Sequence, residues 1–93
     1  MTFQKIETLS LKNVKLYKAD EFIACFKSLK VLELAHSNLF ANLHHGSISL
    51  SHESRENLTK LTVIDCMQNS QKFTIQNILK LLSKNQLPQS LTI

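Results

Sequence analysis

Apolar residues return along this 93-residue chain at a long interval as well as a short one. Phe3, Ile6, Leu9, Leu11 and Leu16 are followed 23 residues later by Phe26, Leu29, Leu32, Leu34 and Leu39. Leu58, Leu61 and Val63 repeat the spacing of Leu29, Leu32 and Leu34, and Leu91 and Ile93 that of Leu61 and Val63. Successive copies lie 23, 29 and 30 residues apart, the interval expected when each copy is one supersecondary unit stacked on the next. Every copy reads apolar-x-x-apolar-x-apolar, and its last two apolar positions alternate like a short strand with both side chains on one face.

Helical patterns fall between these strands. Ile75, Ile78, Leu79 and Leu82 recur at three and four residues, which predicts a helix over Thr74 to Ser83 with Thr74 as its N-cap. Asp20 to Lys27 reads as a shorter helix, with Phe22, Ile23 and Phe26 on one side and acidic Asp20 and Glu21 at the positive end of its dipole. Residues 47–57 read either as a loop or, over Ser51 to Asn57, as a helical turn capped by Ser51. His52, Glu53, Ser54, Arg55 and Glu56 are all polar there, and Gly46, the only glycine, precedes them.

The segments Ile6-Glu7-Thr8-Leu9-Ser10-Leu11, Leu29-Lys30-Val31-Leu32-Glu33-Leu34 and Leu58-Thr59-Lys60-Leu61-Thr62-Val63 resemble leucine-rich repeats, closest to the ribonuclease-inhibitor-like type. That family favours Asn or Cys three residues past the last apolar position, where the side chain ties down the turning backbone. Cys66 fits, Ser37 is a substitute with Asn38 one residue later, and Val14 departs from the pattern. The resemblance implies an α/β solenoid of three to four units with short parallel strands on one face and helices or loops on the other. The units run over about 3–25, 26–54, 55–84 and a partial 85–93. Each unit buries its apolar face against its neighbours, so terminal units need polar caps. Phe3 and Ile6 at one end and Leu91-Thr92-Ile93 at the other provide none, which leads us to expect a segment of a longer solenoid or self-association through the open ends.

Composition narrows the class of function. At 10.6 kDa the chain is one domain, and its 43% hydrophobic and 19% charged residues are those of a folding sequence. One Gly and one Pro are too few turn residues for a small all-β fold. Eleven Lys and Arg against seven Asp and Glu leave a net charge of +4, but the ten lysines are scattered, so a basic nucleic-acid-binding module is the weaker alternative. Cys25 and Cys66 are too few for a disulfide framework, no signal-peptide core opens the chain, and no apolar run reaches membrane-spanning length. These features point to an intracellular protein, cytoplasmic or nuclear, without a membrane partner.

No chemistry-bearing constellation stands out. His44, His45 and His52 lack metal-ligand spacing to one another or to the cysteines, and no Cys-x-x-Cys occurs. Adjacent Asp20 and Glu21 suit a helix start better than a catalytic pair, and a single Gly excludes phosphate-cradling loops. We therefore expect no enzyme, metal or cofactor. If the strands stack in frame, the residues between the apolar positions form the opposite, concave face. Its columns are Thr8, Val31, Lys60 and Ser90; then Ser10, Glu33, Thr62 and Thr92; then Lys12, Ala35 and Ile64. Two Lys against one Glu, with Val31, Ala35 and Ile64 between them, suit a protein partner better than a phosphate backbone. Arrays of this family often serve as scaffolds or as substrate receptors in larger assemblies, and that is the role the resemblance implies.

Overall fold

In the computed structural model, which describes residues 2–41, 48–82, 88 and 90–92, the offset between the apolar copies becomes a strand register. The strands β1 (Thr8–Lys12), β3 (Val31–Ala35), β5 (Lys60–Ile64) and β8 (Ser90–Thr92) form one parallel sheet in the order β1-β3-β5-β8. Leu9 lies opposite Leu32, Leu32 opposite Leu61, and Leu61 opposite Leu91. A one-residue slip would turn every leucine to the other face, so the buried side fixes the frame. The strand entrances repeat as well. The Glu7 carbonyl accepts the N–H groups of Lys30 and Val31, and the Lys30 carbonyl accepts those of Thr59 and Lys60.

Parallel neighbours require crossover connections, and here each begins with a second, two-residue strand. β2 (Lys15–Leu16), β4 (Asn38–Leu39) and β6 (Met67–Gln68) pair in parallel, and β7 (Gln71–Lys72) folds back antiparallel on β6. Helices α1 (Ala19–Ala24), α2 (His52–Asn57) and α3 (Ile75–Leu82) complete the α/β fold. Between sheet and helices lies one core, where Leu32, Leu34, Leu61, Leu29, Ile23 and Leu81 are fully buried. At the β1 edge Leu9 and Leu11 are only half-buried, and Ile6, an apolar position of the repeat, is exposed.

Helix α1 departs from its expected bounds of Asp20 to Lys27. It starts after Lys18, a left-handed residue without a side-chain cap, and ends at Ala24. Tertiary pairing claims its last turn: Phe3 N–H donates to the Cys25 carbonyl, Lys27 N–H donates to Phe3, and the Phe3 and Phe26 rings stack 4.7 Å apart. Helix α3 is capped as expected, with Asn77 N–H donating to Thr74 Oγ1 and Thr74 N–H to Asn77 Oδ1, a reciprocal capping box. Its buried stripe is Ile78, Leu81 and Leu82, so Ile75 is exposed where the sequence pattern placed it inward. Ser83, His44, His45, Gly46, Ile93 and most of 85–93 lie outside the described residues.

The polar segment 51–57 is helical from His52, and its serines explain why. Ser51 Oγ caps the helix by accepting Ser54 N–H, and it donates to the Phe26 carbonyl at 2.6 Å. Ser54 is completely buried; its hydroxyl donates to the same carbonyl at 2.8 Å and accepts Leu29 N–H at 3.0 Å. This short helix thus satisfies the backbone entering β3, groups that would otherwise be buried unpaired. Gln68 is the opposite case. It pairs with Leu39 where β2 has Leu16, and its buried Oε1 finds no hydrogen-bond donor among the described residues.

In urea titrations Ser54→Ala is expected to lose about 1–3 kcal/mol of stability by orphaning Leu29 N–H, whereas Gln68→Leu is expected to gain about 1 kcal/mol. Equal midpoints for both variants and the wild type would contradict this account of the two polar groups.

Candidate protein-binding face

Alternation along the strands leaves one sheet face over the core and the other outward. The outward columns are those expected, since Thr8 pairs with Val31, Val31 with Lys60, and Lys60 with Ser90; Ser10, Glu33, Thr62 and Thr92 form the next row, and Lys12, Ala35 and Ile64 the third. Thr8, Ser10, Lys12, Lys60 and Ile64 are exposed, and Val31 and Glu33 half-buried. Ala35 and Thr62 depart from the expectation for contact residues, because each is only 8% accessible. Both stand on central strands with a paired strand on either side. The expected face is therefore a shallow mixed surface of hydroxyls, two lysines, Glu33, Val31 and Ile64. Lys30 Nζ and Glu7 Oε2, 2.9 Å apart, lie at its entrance side, both more than half exposed.

Where the strands end, three residues at equal positions in successive units adopt left-handed backbone: Asn13 (φ 56°), His36 (φ 49°) and Asp65 (φ 49°). Asn, Asp and His are the non-glycine residues that tolerate this conformation best, and the repeat places one in every unit. The row carries polar chemistry as well, with His36 Nδ1 3.2 Å from Asp65 Oδ2 on the exposed surface. This row was missed in the sequence, although its offset matches that of the leucines.

Next to the row stand the turn positions. Ser37 is buried, accepts Val14 N–H at 3.2 Å and donates to the Ala35 carbonyl at 2.8 Å, so it secures the first turn as well as its own. That reach compensates for Val14, which has no polar side chain. Asn38 serves the following turn instead, bonding to Ser70 through both ends of its amide. Cys66 Sγ lies 3.3 Å from the Ile64 carbonyl, and burial pushes its thiol above the ordinary value of 9.0. A groove of about 550 Å³ crosses the row, lined by Asn13, Val14, Lys15, His36, Asn38 and Met67 among others. A second groove, of about 700 Å³, continues past Ile64 and Met67 to Lys72 and Phe73.

Among the described residues no group of three His, Cys, Asp or Glu side chains is placed to hold a metal ion, and no helix is long and apolar enough to cross a membrane. No protein-family model, curated protein or solved structure matches this chain.

The two cysteines differ in a way that labelling reads directly. Cys25 is half-buried at the C-cap of α1 and Cys66 is buried. With a thiol-specific alkylating agent at neutral pH, Cys25 is expected to react first and Cys66 to follow only on unfolding. Because the folded pKa of Cys66 is raised, the stability it lends is complete below about pH 9 and is lost as pH rises from there through the folded value. Equal labelling rates in the folded protein would overturn the buried, structural role of Cys66.

Proposed function

We propose that this chain is a short leucine-rich-repeat array of the ribonuclease-inhibitor-like kind that binds another protein through its outward strand face and carries out no catalysis of its own. The observation that carries the reading is the register: four strands pair in parallel, in chain order and in one frame. The recurring second strands β2, β4 and β6, at the same point of each unit, support a coil that repeats as a whole. Such a coil is a solenoid, and its strand face presents equivalent side chains in rows, a layout for contact with a large surface.

The face itself favours protein over nucleic acid. Lys12 and Lys60 are separated by Glu33 and apolar Val31 and Ile64, whereas phosphate contacts call for aligned cations. In an intracellular setting the array serves as a scaffold or as the substrate-receptor part of a larger assembly. Its two sheet edges, at β1 and β8, are also where a further unit or a second copy would add.

The face is tested by Val31→Arg combined with Lys60→Glu, adjacent in one column. Affinity capture with wild-type and variant baits, both verified as folded by circular dichroism, is expected to recover a protein partner with the wild type and lose it about tenfold or more with the variant. Undiminished capture by the variant would remove the strand face from the reading.

A further inference from the structure

A second outward surface lies on the β2, β4 and β6 ladder. Lys15, Asn38 and Met67 are register partners and project from one side, opposite to Leu16 and Leu39, which face the core. Tyr17 and Phe40 directly follow β2 and β4; their rings stack 4.8 Å apart at 12°, and Lys15 Nζ lies 5.8 Å from the centre of the Phe40 ring. Tyr17 is 63% and Met67 42% exposed, the largest and the most adaptable side chains among the exposed apolar residues. Aromatic residues and Met are the types enriched where proteins meet. The groove across Asn13, His36 and Asp65 opens beside them.

Charge decides what fits. Lys15 stands in the ladder at the end formed by the first unit, and Lys12 and Lys18, which close β1 before it and cap α1 after it, are likewise exposed. The acidic residues that follow, Asp20 and Glu21, belong to the first turn of α1, not to the ladder. Among the described residues that line the groove, Asp65 is the one carboxylate, held against His36. A nucleic acid carries a phosphate at every step and would have to set one beside Asp65. A peptide can place carboxylates at the lysine end and neutral or apolar side chains over Asp65 and Met67.

We propose that this ladder is a second docking surface, for an extended acidic segment of a partner protein that carries aliphatic or aromatic side chains. The proposal rests on the protein-binding reading above but assigns a different face, so the two fail separately. The experiment pans a displayed library of random dodecapeptides against the full chain. Enriched peptides are then measured against three proteins: wild type, Lys15→Glu with Met67→Glu, and Val31→Arg with Lys60→Glu. Lys15 and Met67 are exposed, and Tyr17→Ala serves as a companion variant should the double variant not fold. The expected peptides are net acidic with apolar residues interspersed, lose about tenfold or more in affinity on the ladder variants, and keep it on the strand-face variant. Enrichment of neutral or basic peptides, no enrichment, or displacement of the peptides by single-stranded oligothymidylate would overturn the proposal. Loss confined to Val31→Arg with Lys60→Glu would also overturn it while leaving the strand-face reading standing.

Discussion

Strand β3 can be satisfied only if both of its neighbours run parallel to it and in one frame, and the remaining structure is arranged around that condition. Its backbone is bonded to β1 on one side and β5 on the other, and Leu32 and Leu34 beneath it have no solvent exposure. Parallel pairs cannot be closed by a tight turn, so each strand must be followed by a reversal that carries the chain to the other layer. The left-handed residues Asn13, His36 and Asp65 begin that reversal at the same point in every unit, and β2, β4 and β6 hold it in a second ladder.

Reversals expose backbone groups in the interior, and a few small polar side chains satisfy them. Ser37 ties two successive turns, and Ser51 and Ser54 both donate to the Phe26 carbonyl. Within a low-dielectric core each such bond matters mainly for the cost of leaving its partner unmade. The outward surfaces follow from the same geometry. Strand residues that do not face the core come out in rows, and the second ladder brings Tyr17, Phe40 and Met67 out beside them.

The leucine offsets made the large sheet and its columns legible, because a buried face tolerates no slip in register. Two-residue strands carry no periodicity, so the ladder of β2, β4 and β6 was invisible, although Leu16 and Leu39 already stood in the repeat. The row of Asn13, His36 and Asp65 did carry a signal in residue type and spacing, one that apolar pattern alone overlooks. Helix α2 was ambiguous because none of its residues is apolar; what holds it is the Phe26 carbonyl, a partner far away in sequence. Similarly, α1 ends early because the Phe3 segment pairs with the chain around Phe26, a contact that no local pattern announces. The burial of Ala35 and Thr62 depends on what flanks them, which is information about the sheet and not about the strand.

The central claim, that the units stack in one frame, is tested most directly by cysteine-pair crosslinking on the outward face in a Cys25→Ser, Cys66→Ser background. Thr8→Cys with Val31→Cys, and Val31→Cys with Lys60→Cys, join adjacent positions and are expected to form disulfides under mild oxidation. Thr8→Cys with Glu33→Cys is two residues out of frame, and Thr8→Cys with Lys60→Cys spans two strands, so neither is expected to close. Crosslinking of the out-of-frame or skipped-strand pairs in preference to the in-frame ones would contradict the register and, with it, both proposed binding surfaces.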